Sequence, residues 1–369
     1  MVLAISYGIA LIFPILFLLA LRKFDLYQTG KINLNILTLI CGVVAYYLAV
    51  QVNEGVSRAG LVTSWEQVVR FTAPIAEEIL KSLVLIYLVR RADFNYVVDG
   101  AIYGFGVGIG FAMVENIQYI DNFAEKALLV AVFRVFSTNL MHATSSGLIG
   151  TALAYRRGDA TWKSWAVILA GYPIAIEVHM AFNNMVNSGV QLVFAIAFGV
   201  TGTALIWYII KRGLNVQKDW VAEKLGIADR ATQEETKVVS NIETVNEVLT
   251  PVAKRFGDEK ASLVRSLIYK QAEIGIKRKL LETTPSENRK KEIIAIIEGL
   301  VEETNVLRTR IGAYCMMMVR EVYLGQSTQV WNLLNARIAA AGLGQKGGGL
   351  WDRVTSRMSN SSASQEEKS

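Results

Sequence analysis

The side chains best suited to chemistry in this 369-residue chain are a few glutamates and its two histidines, and they stand in apolar surroundings. Phe71 to Lys81 reads Phe-Thr-Ala-Pro-Ile-Ala-Glu-Glu-Ile-Leu-Lys, which sets Glu77, Glu78 and Lys81 in a largely apolar run. Further on come Glu115 with Asn116, then Arg134, Asn139, His142, Ser145 and Ser146, then Glu177, His179, Asn183 and Asn184. A carboxylate can take a proton from water, and an imidazole can donate to a developing oxyanion or protonate a leaving amine. Together they could activate a water for hydrolysis. Two histidines and a glutamate are also a three-ligand zinc set that leaves one position for water. No His-Glu-x-x-His sequence is present, so a metal centre rests on ligand type alone.

Each residue also has a plain structural reading. Glu77 and Lys81 lie four apart on one helical face, in the order that favours an ion pair. That pair would leave Glu78, about 100° further round, without a partner. A lone buried histidine is more often a hydrogen-bonded packing residue than a ligand. Here both histidines of the chain fall beside glutamates within apolar stretches, which shifts the balance toward function.

The elements that must carry these groups are membrane spans. A crossing helix needs roughly 20 apolar residues. Val2 to Leu21 and Ile32 to Val50 carry no charge, and neither does Gly189 to Ile210. Four more stretches are long enough but interrupted: Val68 to Val89, Tyr96 to Ile120, Ala127 to Tyr155 and Ser164 to Asn187. The expectation is an all-α polytopic membrane protein with about seven transmembrane helices and a C-terminal soluble helical domain. The polar residues then fall on four consecutive spans at overlapping depths, with His142 deepest at about 22 Å if its span is one straight helix. Pro74 removes a donor and can bend the third span. Gly100, Gly104, Gly106, Gly108 and Gly110 read as small residues that let helices approach closely.

The first span lacks a basic start and is followed by Arg22 and Lys23, which suits an uncleaved anchor. Basic residues alternate from loop to loop. Arg22, Lys23, Lys31, Arg90, Arg91, Arg156, Arg157, Lys163, Lys211, Arg212 and Lys218 share one side, whereas Arg58, Lys126 and Arg70 lie toward the other. This asymmetry predicts an N-terminus outside and a C-terminal domain in the cytoplasm of a plasma (inner) membrane protein. It also accounts for the net charge of +6 without a nucleic-acid partner.

The expected domains are 1–211 in the membrane, 212–345 as a cytoplasmic helical domain, and 346–369 as a disordered tail rich in Ser, Glu and Lys. Helical spacing marks Glu259 to Leu281, Pro285 to Val319 and Gln326 to Ala341, with breaks near Gly257, Pro285 and Gly325. Cys41 and Cys315, one in each part, make no disulfide framework.

Glu77-Glu78-Ile79-Leu80-Lys81 resembles the E-E-x-x-K motif of the PrsW family of intramembrane proteases. Phe111 to Asn116 resembles its F-x-x-x-E-N motif. His142, and His179 with Asn183, resemble its two histidine motifs. The resemblance covers roughly residues 68–187 and extends to the CAAX-protease and bacteriocin-processing group. It implies cleavage of a membrane-anchored protein substrate in contact with the lipid bilayer. Glu77 or Glu78 would activate water, assisted by Glu115. His142 and His179 would stabilise the oxyanion or ligate a metal, with Glu78 and Glu115 as further ligands. Asn116 and Asn183 would orient these groups, and Lys81 would tune Glu77. Two forms of the chemistry stay open, one with a bound zinc and one without metal. Two other readings use the same residues: a proton-coupled transporter, and a non-enzymatic membrane sensor or scaffold. The oligomeric state and the role of the C-terminal domain are not legible.

Overall fold

The computed structural model describes residues 1–159, 161–187, 192–226, 231 and 233–324. The protein is an all-α polytopic membrane protein, and no strand occurs among the described residues. Six described helical segments are long and apolar enough to cross a membrane: Val2–Arg22, Ile32–Arg58, Val97–Asn122, Ala124–Gly158, Trp162–Val186 and Val193–Lys224. The expected count of seven is therefore not met by this measure. The missing span is the one from Val68 to Val89. Its α-helical part is only 17 residues long and carries Glu77, Glu78 and Lys81, which lower its hydropathy.

Two helices open the chain, α1 (Val2–Arg22) and α2 (Ile32–Arg58). Ser64 then caps a single turn, α3 (Trp65–Gln67), by accepting from the Gln67 N–H. The chain passes through a π-helical stretch, Val68–Thr72, before α4 (Ala73–Val89). Pro74 sits in the first turn of α4, where no intrahelical donor is required of it. The bend expected there thus takes the form of a π turn just before the proline. Single π turns are frequent at functional sites.

Helix α5 (Val97–Asn122) forms the centre of the bundle and is buried over most of its length. Its glycines set how near its neighbours come. A Cβ at Gly104 would collide with the Ser146 backbone and one at Gly108 with the backbone of His142 and Ala143. Gly110 and Gly42 permit the same close approach to α2. The glycine stripe is thus a packing surface, as its spacing suggested.

The expected span from Ala127 to Tyr155 is two helices, α6 (Ala127–Phe136) and α7 (Thr138–Gly158). The break at Ser137, with φ −122 and ψ −80, starts a new helix one turn before His142. Helices α8 (Trp162–Asn187) and α9 (Leu192–Lys224) complete the bundle.

Short helices α10 (Gln233–Ser240) and α11 (Val245–Phe256) follow, then α12 (Asp258–Thr283) and α13 (Glu287–Ile311). Gly257 ends α11 at φ 86, a conformation that favours glycine. Helix α12 packs against α9, α11 and α13 and reaches α7. Its Lys277 is buried and donates to the Ala92 carbonyl at 2.7 Å. The stretch expected from Pro285 to Val319 is divided at Gly312, and α14 (Ala313–Leu324) belongs to a separate compact unit. The expected break at Gly325, the expected Gln326 to Ala341 helix and the tail expected to be disordered at 346–369 lie outside the described residues.

Candidate active site

Four helices converge on one polar cluster. Helix α4 brings Glu77, Glu78 and Lys81, α5 brings Glu115 and Asn116, α7 brings His142, and α8 brings His179. The α5–α7 glycine contact at Gly108 sets the backbone of His142 against α5 about two turns before Glu115. At the other side, Asn183 of α8 donates to the Val69 carbonyl at 2.9 Å, inside the π turn that leads into α4.

Glu78 and Lys81 are fully buried and pair at 2.6 Å. The expected partner of Lys81 was Glu77, four residues back. The three-residue neighbour wins because Glu78, Lys81 and both histidines occupy the same side of α4, facing α7 and α8. Glu78 Oε1 also accepts from His179 Nδ1 at 2.9 Å, and Oε2 accepts from Ser146 at 3.2 Å. Both oxygens of Glu78 are thereby engaged. Lys81 Nζ additionally lies 3.1 Å from His142 Nδ1 and 4.6 Å from the centre of the Phe111 ring.

These contacts assign the histidine tautomers. Lysine can only donate, so His142 Nδ1 accepts and its proton is on Nε2. That N–H points to Glu115 Oε2 at 2.9 Å. A carboxylate can only accept, so His179 carries its proton on Nδ1, toward Glu78. Its Nε2 is bare and faces Glu77 Oε2 at 3.8 Å. The two rings meet edge to face with centroids 4.6 Å apart.

Glu77 differs from Glu78 in one decisive respect. Its side chain is 12% exposed and lines a cavity of about 470 Å³, together with Glu115, Arg134, His179, Tyr46 and Tyr119. Its Oε2 is buried without a hydrogen-bond partner. The cavity runs toward the ends of α2 and α5, where Glu54, Trp65 and Phe123 are exposed. Glu177, on the same helix as His179, is exposed on another side of α8.

Sequence reading gave Arg134 no role. It stands in the last turn of α6 and pairs with Glu115 Oε2 at 2.7 Å. Its Nε donates to Asn116 Oδ1 at 2.9 Å, and its Cζ lies 3.6 Å from the centre of the Tyr119 ring. A cation in an apolar span was the available signal.

The donor set suits a metal ion in part. Nitrogen and oxygen atoms of Glu77, His142 and His179 lie within 4.8 Å of one another. The orphaned Glu77 oxygen and the bare His179 Nε2 are ready ligands, and the Nδ1–H bond to Glu78 is the usual support for a ligating histidine. His142 joins only by exchanging its bond to Glu115 or Lys81. Glu78, expected as a ligand, has its oxygens occupied by Lys81, His179 and Ser146, and Glu115 Oε2 is taken by Arg134 and His142.

Comparison with known proteins gives a family match over the segment that carries the cluster. The profile described as PrsW family intramembrane metalloprotease matches residues 31–210. A curated relative named Protease PrsW, from Oceanobacillus iheyensis, is 30% identical over 115 residues, which is 31% of this chain and 51% of the relative. The chain thus spans about half the length of that relative. No solved structure matches the chain. All four helices that carry the cluster lie within residues 31–210, the segment that matches the PrsW family.

Proposed function

We propose that this protein is an intramembrane peptidase in which Glu77 is the water-activating base. The observation that carries this reading is the buried, unpartnered Oε2 of Glu77, set 3.8 Å from a bare histidine nitrogen in the wall of a cavity. A water between these two acceptors donates one hydrogen to each. Its lone pair is then free to face a peptide carbonyl in the cavity. As the water attacks, its proton passes to Glu77, and Glu77 delivers it to the departing amine. His179 holds the water through Nε2 and is itself fixed by Glu78. His142 and Glu115 form the opposite wall.

Where a zinc ion is bound, Glu77 and His179 would hold it, with His142 by exchange, and the ion would supply an acidified water and polarise the carbonyl. The substrate class is a membrane-anchored protein whose chain can enter the cavity from the ends of α2 and α5. The basic-loop asymmetry assigns that end to the outside of a plasma membrane, with the C-terminal helices in the cytoplasm. Residues 1–211 then form the protease domain, and residues 212–345 a separate function.

The test is purified protein in lipid nanodiscs mixed with single-span membrane substrates. Cleavage that is lost in Glu77→Gln and His179→Ala supports the reading. Proton-driven uptake by vesicles containing the protein, with no peptide cleaved, would overturn it in favour of transport. Loss of cleavage with a chelator and its return with zinc would favour the metal form.

A further inference from the structure

We propose that Arg134 is a positioning residue that fixes Glu115, so that Glu115 in turn holds the His142 ring in one orientation. Its effect on turnover rests on the peptidase reading above, whereas its effect on His142 rests on geometry alone.

A guanidinium is costly in an apolar bundle and persists where its partners are specific. Three residues of α5 surround this one. Glu115 takes one nitrogen, Asn116 takes Nε, and the guanidinium carbon sits over the Tyr119 ring. Glu115 and Tyr119 are one helical turn apart, so they present a single face to α6. Asn116 is fully buried and aims its carbonyl at Arg134, not at Glu115. The asparagine that follows the glutamate thus orients the arginine.

Glu115 needs this clamp. Its side chain is 19% exposed at the cavity, and the same Oε2 that meets Arg134 also accepts from His142. Without the guanidinium, Glu115 keeps its bond from His142, and water in the cavity can compete for the carboxylate. Lys81 forces the His142 proton onto Nε2, and Glu115 is the acceptor that meets it there. Removing Arg134 therefore loosens His142 by way of Glu115. His179, tied to Glu78, should be untouched.

Because the chain has two histidines, ¹⁵N-imidazole NMR of the intact protein in nanodiscs reads two rings. Wild-type spectra should show His142 protonated on Nε2 and His179 on Nδ1. In Arg134→Gln the His142 Nε2–H signal should shift and broaden as its acceptor loses a fixed position, while the His179 signals stay in place. Arg134→Lys, which keeps the charge but not the fork, should restore part of the wild-type His142 pattern. Asn116→Ala, which leaves the charge in place, should act in the same direction and more weakly. In the cleavage assay, Arg134→Gln should lower kcat by about a hundredfold with little change in KM. Unmoved His142 signals in Arg134→Gln overturn the proposal. So does a raised KM with kcat intact, which would make Arg134 a substrate contact. A wild-type protein that cleaves nothing overturns the peptidase reading, and the NMR result still decides the role of Arg134.

Discussion

Adjacent glutamates on one helix meet different fates here. Glu78 points inward, loses all exposure and becomes the counter-ion of Lys81. Glu77 keeps a view of the cavity and an unpartnered oxygen. Their substitutions should therefore separate stability from chemistry. Glu78→Gln leaves the Lys81 charge buried without its carboxylate, and breaking such a pair costs about 3–5 kcal/mol. Glu77→Gln removes no hydrogen bond that the fold uses, so unfolding should change by less than about 0.5 kcal/mol. Thermal unfolding in detergent, run beside the cleavage assay, checks both. Glu77→Gln should be folded and inactive, and Glu78→Gln should unfold earlier. A Glu78→Gln protein as stable as wild type would refute the assignment. The residue types of this site were legible because glutamate, lysine and histidine stand out in apolar sequence. Their pairings were not. Residues 77 and 78 both lie within one turn of Lys81, and what selects between them is the position of α7 and α8. Arg134 went unassigned for a related reason: its partners are on α5, and no local spacing links residue 134 to 115.

Two features of the helices determine whether these residues can meet. One is the glycine stripe of α5, whose role was readable because only a missing side chain permits such contact. The other is the break at Ser137, which no glycine or proline announces. Its cause is tertiary: α6 lies against α1 and α5, whereas α7 runs along the glycines of α5. The span through Glu77 and Glu78 also went uncounted, since the π turn leaves it only 17 α-helical residues and three of them are charged. The glycine contact gives a clean prediction. An alanine at Gly104 must push the Ser146 backbone aside, and Ser146 donates to Glu78. Gly104→Ala should cost about 1–3 kcal/mol, as overpacking does, and should lower cleavage with it. Gly299→Ala is the matched control. Gly299 is inside α13 with nothing near its added Cβ, so the change should stabilise by up to about 1 kcal/mol. Equal thermal midpoints for the two variants would mean that the α5–α7 contact is loose.

At the scale of the whole molecule, helix α12 is attached to the loop that joins α4 to α5. Lys277 of α12 donates to Ala92, Arg157 of α7 donates to the Arg91 and Phe94 carbonyls, and Thr283 of α12 donates to the Arg157 carbonyl at 2.6 Å. None of this was legible, because the contacts join residues far apart in sequence and Lys277 looks like any surface lysine of a charged helix. Burial pushes the Lys277 ammonium down to about 8 from its usual 10.5, with Arg157 adding to the effect and Glu273, Asp99 and Asp93 opposing it. Between pH about 8 and 10.5 the unfolded chain therefore binds a proton that the folded chain has released. Stability should rise with pH across that window through this residue, and the penalty should be fully present below it. Lys277→Met removes the titrating group. The difference in unfolding free energy between wild type and Lys277→Met, measured from pH 7 to 11 by denaturant titration in detergent, should shift in favour of wild type as pH climbs. Other lysines and tyrosines titrate in the same range, and taking the difference cancels them. A difference that stays flat across the window would show that Lys277 is solvated, and that α12 does not hold the α4–α5 loop through a buried ammonium.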